Sequence, residues 1–259
     1  MREQTFNITE NREIAPGIFS MTAAGDRLEE GLLAGRFLNV TVPGRPDLLL
    51  KRPFGIADWD GQKRTLTFCY QTVGEGTRAL AELAPGTPIS LTYPLGNGFH
   101  LTGAHRKVVL LGGGVGVFPL LSLRKEGGER KFYTFLGFRS REQVCFASEF
   151  EAFSKEFYLC TDDGTAGISG FATDLLARHL GRIRPDIVLA CGPKPMFRAL
   201  KKVMDEFPEI PCLVSCEERM GCGVGACLVC VCKLEENGER KNKRVCRDGP
   251  VFDLRTLIL

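Results

Sequence analysis

Apolar and polar residues alternate along Gly35 to Val42 and again along Thr65 to Thr72, the period of two expected where one face of a strand is buried. The first hundred residues break at Gly and Pro into short strands of this kind, which predicts a small antiparallel β-barrel over 1–102. Asp60-Gly61 is a hairpin signal between two strand-like runs, with Trp59 beside it as a packing residue. From residue 103 the pattern changes. Val108 to Leu111 is continuously apolar, and further runs at Phe132 to Phe138, Phe157 to Thr161 and Ile187 to Ala190 are separated by helical spacing. That succession predicts a doubly wound parallel sheet over 103–211. Met196, Leu200, Val203, Met204 and Phe207 recur at helical spacing and are assigned to its core. Residues 212–259, rich in glycine and cysteine, form a third, small module.

Composition narrows the class. A chain of 259 residues with 44% hydrophobic and 25% charged positions accommodates two cores and an appendage, as expected of a soluble globular protein. A net charge of +3 is too small to imply a nucleic-acid partner, and no basic-aromatic interleaving supports one. The basic run Arg240 to Arg244 is assigned to a solvated loop. The longest apolar run, Val108 to Leu123, is broken by glycines and Pro119 and is too short to cross a bilayer, so no membrane span is expected. Eleven cysteines, with no apolar h-region between Met1 and Phe19, point to the reducing cytoplasm.

The cysteines carry the most specific chemistry. Cys222, Cys227 and Cys230 are spaced C-x4-C-x2-C and Cys246 follows after a loop, the plant-type arrangement for a [2Fe-2S] cluster. Gly223 and Gly225 allow the tight wrap that four thiolates around two irons require. A zinc site of four cysteines is the alternative, but zinc knuckles pair two short hooks, whereas here three ligands share one loop. Cys216 and Cys232 do not fit the spacing and are assigned as non-ligands.

Three further stretches suggest nucleotides. Arg52-Pro53-Phe54-Gly55-Ile56 follows Leu48 to Leu50, read as a strand, and places a planar guanidinium where it would hold a pyrophosphate. Gly74-Glu75-Gly76-Thr77 opens a helical pattern (Ala79, Leu80, Leu83) whose first N–H groups would face an anion. Gly112-Gly113-Gly114-Val115-Gly116 joins an apolar strand to a helix near Pro119, a nucleotide-binding opening that is not G-x-G-x-x-G. Cys191-Gly192-Pro193 follows a later strand at the same carboxyl edge; Cys191 is either a small buried residue or lies against a nicotinamide ring. Asp162-Asp163-Gly164 ends another strand, and carboxylates there would repel a 2′-phosphate, favouring NADH over NADPH. A nicotinamide yields electrons in pairs and a [2Fe-2S] cluster accepts them singly, so an intermediary is needed. Flavin has that chemistry, and the pyrophosphate-like site on the barrel suits FAD.

Arg52-Pro53-Phe54-Gly55-Ile56, Gly76-Thr77, Pro94 to Phe99, Gly112 to Pro119, Cys191-Gly192-Pro193 and Glu218 to Gly223 together resemble the electron-transfer subunit of class 1B dihydroorotate dehydrogenase, of the ferredoxin-NADP reductase superfamily. The likeness covers essentially the whole chain. It implies FAD at Arg52, Pro53, Phe54 and Gly55, at Cys69, Tyr70 and Gln71, and at Gly74, Gly76 and Thr77. It implies NAD(H) at Gly112, Gly113, Gly114, Gly116, Cys191, Gly192 and Pro193, and a cluster on Cys222, Cys227, Cys230 and Cys246. The partner it implies is an FMN-containing catalytic subunit that oxidises dihydroorotate in pyrimidine biosynthesis, two copies of each chain forming a cytoplasmic heterotetramer. No catalytic residue for dihydroorotate is evident in this chain, and His100, His105 and His179 are assigned structural roles. One departure stands out: Gly55 occupies a position where the family usually has a serine whose hydroxyl reaches the flavin, and a backbone N–H would substitute. Two other roles stay open: a related reductase subunit serving a sulfide dehydrogenase or ferredoxin-linked transhydrogenase, and a zinc-binding interaction module on a degenerate reductase fold.

Overall fold

The computed structural model describes residues 1–259. Strands β1 (Arg2–Ala15), β2 (Ile18–Ala24), β3 (Phe37–Thr41), β4 (Arg52–Asp60), β5 (Thr65–Gln71) and β6 (Pro88–Leu95) close into an antiparallel barrel in the order β1-β2-β5-β4-β3-β6. Their alternation sends Phe6, Met21, Leu38, Val40, Ile56, Phe68 and Leu91 inward, where all are buried. Asp60 closes the β4–β5 hairpin as expected, its carboxylate accepting the N–H groups of Gln62 and Lys63 at 2.9 Å each. Trp59 packs against the barrel core, with Lys125 over its ring. Helix α1 (Glu75–Ala81) sets Leu80 into that core.

One expected strand is absent. Leu48 to Leu50 form a loop, with Leu49 and Leu50 exposed at 87% and 57%. The pairing of β3 with β4 ends at Val40 opposite Arg52, so residues before Arg52 have run past their neighbour and have no ladder to join. Arg52 therefore opens a strand rather than closing one.

The second unit is built from β7 (Lys107–Gly113), β8 (Lys131–Phe138), β9 (Ser154–Thr161), β10 (Ile168–Ser169), β11 (Ile187–Cys191) and β12 (Cys212–Ser215). A hairpin, β13 (Val231–Glu236) and β14 (Glu239–Arg244), follows, and then β15 (Val251–Asp253). The sheet order is β10-β9-β8-β7-β11-β12-β15, parallel except for β15. Helices α2 (Val117–Leu121) and α3 (Ala147–Phe153) cover one face, while α4 (Ala172–Ile183) and α5 (Lys194–Asp205) cover the other. Because both faces are buried, Val108 and Leu110 join one core and Val109 and Leu111 the other, which explains the unbroken apolar run. The helix expected near Pro119 spans only five residues, flanked by 3-10 turns at Gly114–Gly116 and Ser122–Glu126.

The sheet extends beyond residue 211. After α5 the chain returns as β12, and β15 later covers its open edge antiparallel. The intervening module holds a short helix, α6 (Val245–Asp248), and the β13–β14 hairpin, to which the last residues are stitched by Ile258 N–H to the Lys233 carbonyl (3.0 Å) and Glu235 N–H to the Thr256 carbonyl (2.7 Å). Asn97, in the loop after β6, fastens this module to the barrel. Its Nδ2 donates to the carbonyls of Asp248 (3.3 Å) and Val251 (3.1 Å), and its Oδ1 accepts the Val251 N–H at 3.0 Å. At about 1 kcal/mol per bond, Asn97→Ala should destabilise the chain by roughly 3 kcal/mol in denaturant unfolding, whereas a loss under about 0.5 kcal/mol would mean the junction is held elsewhere.

Candidate redox site

Strand β7 has β8 on one side and β11 on the other, and the connections leave it in opposite directions, so a crevice opens at the carboxyl ends of the sheet. A cavity of about 1050 Å³ lies there. Gly113, Gly114 and Gly116 form one wall, and Gly192 and Pro193 another. Gly112 and Cys191 are buried behind those walls rather than on them, and burial, then the nearby Glu217, pushes the Cys191 thiol far up. Arg139, Gln143, Asp162 and Asp174 also line the cavity. Asp163, by contrast, serves its own turn, accepting the N–H and hydroxyl of Thr165 at 2.9 and 2.6 Å.

Several cleft residues escaped the sequence reading, Arg139, Gln143 and Asp174 among them, and two others are instructive. Met196, assigned to the core by its spacing, is half-buried and lines the cavity: a Cβ on Gly113 would lie 2.7 Å from its Sδ. A helical stripe cannot reveal that its first member sits where the helix begins, at the mouth of a crevice. Glu217 also lines the cavity; the residue is exposed at the opening, and the protein packed around its carboxyl raises it above the ordinary 4.5. No spacing rule marks a single carboxylate between two landmarks.

On the barrel, Arg52 and the start of α1 come together. The guanidinium lies directly against Gly76, and its Nη1 donates to the carbonyls of Leu50 and, at 3.4 Å, Leu48. The Thr77 hydroxyl is consumed by the cap, accepting the N–H groups of Val73 (3.0 Å) and Gly74 (3.1 Å) and donating to the Gly74 carbonyl. The N–H groups of Glu75, Gly76 and Thr77 have no acceptor within the helix. Phe54 sits 5.4 Å from Phe68 and 5.4 Å from Tyr70, ring to ring, and the Tyr70 hydroxyl donates to Asn11 Oδ1 at 3.0 Å. Cys69 is buried, its thiol pushed up to about 12 by that burial. Of the trio 69–71, Gln71 alone reaches the cleft, together with Ile18. At Gly55 a Cβ would lie 2.6 Å from Pro119 Cγ of α2, so a serine there would displace the neighbouring unit. That contact is a physical reason for the departure from serine.

The cysteine loop points its backbone at sulfur. Val224, Ala226 and Cys227 N–H groups donate to Cys222 Sγ at 3.4, 3.2 and 3.4 Å, Cys222 N–H to Cys227 Sγ at 3.3 Å, and Cys246 N–H to Cys230 Sγ at 3.4 Å. Burial alone would raise Cys222, but these donors, Val224 first, outweigh it and bring the thiol down to about 6. Burial, then its neighbour Cys230, holds Cys246 up to about 12, and an arriving metal would displace that proton. The sulfurs lie in two neighbouring pairs, Cys222 with Cys227 and Cys230 with Cys246. Two irons, each completed by two thiolates, fit this donor set better than one tetrahedral zinc. Cys216 and Cys232 border the nucleotide cavity. Cys230 and Cys246 are buried, Cys227 is exposed, and the loop shows Val224, Leu228 and Val229 to solvent at 40%, 62% and 57%.

Residues 217–258 match the family model for the iron-sulfur cluster binding domain of dihydroorotate dehydrogenase B. Over the full length of both chains, this protein is 40% identical to the dihydroorotate dehydrogenase B (NAD(+)) electron transfer subunit of Geobacillus sp. (strain WCH70). The chain belongs to this electron transfer subunit family. It is likewise 38% identical to the corresponding subunit of Bacillus pumilus, covering 97% of this chain and 96% of that one. Among solved structures, an NADH-dependent reduced ferredoxin-NADP oxidoreductase described for flavin-based electron bifurcation matches with a TM-score of 0.85 at 26% identity, covering 98% of this chain and 89% of its own. As in its relatives by name, the subunit transfers electrons. Away from the site, His179 Nδ1 lies 2.8 Å from the Leu175 carbonyl and His105 Nδ1 accepts the Thr102 N–H.

Two outcomes follow from this geometry. Because the folded carboxyl of Glu217 is raised, its contribution to stability is complete below 4.5 and lost as pH rises through the raised value. Glu217→Gln, which cannot ionise, should remove that part of the decline in unfolding scans from pH 4.5 to 8; parallel curves for both proteins would show the carboxylate is well solvated. Gly223 has φ +70 and would drive a Cβ into the Asn39 amide. Gly223→Ala should therefore cost about 1–2 kcal/mol from φ alone and leave less iron per chain after gel filtration than wild type retains.

Proposed function

We propose that the chain relays electrons between NAD(H) in the cleft and the FMN of a catalytic partner, through FAD on β4 and β5 and a [2Fe-2S] cluster on Cys222, Cys227, Cys230 and Cys246. One observation carries the reading: the nucleotide cleft reaches the barrel at Ile18 and Gln71, while the neighbouring strand pair β3–β4 meets the cluster loop through Asn39 and Gly223. A flavin on those strands is the one group within reach of both. Bound there, FAD supplies exchange between electron pairs and single electrons.

The chain's own residues do the holding. The Arg52 fork and the N–H groups of Glu75, Gly76 and Thr77 grip the flavin's pyrophosphate. Gly113, Gly114 and Gly116 let backbone approach the nicotinamide dinucleotide, and Gly192, Pro193 and Met196 bound it opposite. Asp162 receives the ribose and repels a 2′-phosphate, which selects NADH. Backbone N–H groups keep the Cys222 thiolate ionised. The functional units are 1–102 for FAD, 103–211 for NAD(H) and 212–259 for the cluster, the last set into the edge of the sheet. Full-length identity of 40% to dihydroorotate dehydrogenase subunits, against 26% to the bifurcating oxidoreductase, favours a dihydroorotate-oxidising partner over a transhydrogenase or sulfide dehydrogenase. That partner would seat on Val224, Leu228 and Val229, two copies of each chain forming the complex. Eleven cysteines with no disulfide among them suit the cytoplasm, and no helix is long and apolar enough to cross a membrane.

Protein purified without air should show flavin and iron-sulfur absorption. Cys222→Ser and Cys246→Ser should lose the iron-sulfur bands, while Cys216→Ser and Cys232→Ser keep them; a colourless protein holding zinc would reverse the assignment. Diaphorase rates with NADH should exceed those with NADPH about tenfold or more, a discrimination of about 1.4 kcal/mol, and Asp162→Ala should narrow the gap. Equal rates in wild type would remove Asp162 from the ribose. Co-expression with a catalytic chain that binds FMN should yield dihydroorotate oxidation linked to NAD(+) reduction, and a complex inert toward dihydroorotate would favour the other partners.

A further inference from the structure

Asn39 stands on β3, opposite Pro53 of β4 and Thr92 of β6. Its neighbours Leu38 and Val40 point into the barrel, so Asn39 faces out, yet only 2% of it is exposed because the cluster module covers it. Nothing in the protein bonds to its amide. Oδ1 is buried without a partner, and Nδ2 makes no hydrogen bond but is pressed against Gly223, next in the chain to Cys222. Gly223, at φ +70, would collide with it if it carried a Cβ. The amide's oxygen is the enclosed end, while the NH2 keeps slight solvent contact, has no protein acceptor and is free to take a partner that is not protein. Sulfur ligands are acceptors only, so the end that serves them is the NH2.

We infer that Asn39 Nδ2–H donates a hydrogen bond to the Cys222 side of the [2Fe-2S] cluster, making Asn39 a positioning residue that raises the cluster's reduction potential from the flavin side. The inference rests on the reading of Cys222, Cys227, Cys230 and Cys246 as cluster ligands. A donor to sulfur stabilises the more negative, reduced cluster, and hydrogen bonds to sulfur are among the levers that set such potentials. Asn39 adds to this a link that the loop's own N–H groups lack: its backbone belongs to the strand paired with Arg52 and Pro53, so the bond ties cluster to flavin strand.

The test is an EPR-monitored redox titration of the purified, cofactor-loaded chain and its Asn39→Leu variant, which keeps the volume and removes the donor. The variant should retain FAD and iron while the equilibrium constant for electron transfer from flavin to cluster falls threefold or more, roughly 28 mV at 59 mV per tenfold change. An unchanged cluster potential with cofactors intact overturns the inference. In wild-type protein labelled with ¹⁵N at asparagine amides, pulsed EPR of the reduced cluster should detect a coupled side-chain nitrogen, and its absence also overturns the inference, independently of how the variant folds. Wild-type protein that binds no iron at all would instead overturn the ligand assignment beneath it, a failure distinct from either.

Discussion

Two contacts too close to admit a side-chain carbon hold two units against one strand pair of the barrel. Pro119 of α2 rests on Gly55 of β4, and the cluster loop rests through Gly223 on Asn39 of β3. Both are steric and short-range, and packed interiors do not deform smoothly. They therefore determine how far the nucleotide crevice and the cysteine loop stand from the barrel face between them. Ion pairs such as Asp58 with Lys125 at 3.0 Å, and the Asn97 bonds, secure the arrangement without setting its spacing.

Around that seam the eleven cysteines are sorted by surroundings rather than by sequence context alone. Cys69, Cys145, Cys212 and Cys216 are enclosed, and burial lifts their thiols so that they remain small apolar fillers. Cys222 sits where three N–H groups converge, which makes its thiolate accessible near neutral pH. The same residue type thus supplies core and ligand, and the backbone decides which.

The legible part of the molecule was the local part. Cys222, Cys227 and Cys230 share one loop, and Gly112 to Gly116 join one strand to one helix, so neighbours in sequence stay neighbours in space. Leu48 to Leu50 misled because strand identity depends on a partner, and β3 ends before reaching them. Met196 shows the converse limit: periodicity places a residue on a face, but not at which end of the helix a cavity opens. Asn39 and Glu217 gave no signal, the first because it acts across more than a hundred residues and the second because it lies between better-marked positions; Asn97 fell within the Pro94 to Phe99 stretch, but nothing local showed that it reaches Val251. The replacement of serine by Gly55 was visible, but its cause, a proline 64 positions away, became apparent only with the barrel and sheet side by side.

The cluster loop is uneven in shelter. Cys230 and Cys246 lie within the fold, while Cys227 occupies an outward corner beside Val224 and Leu228. Dioxygen and water have a direct route to whatever that sulfur holds. A second protein seated there would close the route, so the lone subunit is the perishable form, and assembly protects the metal as well as extending the electron path.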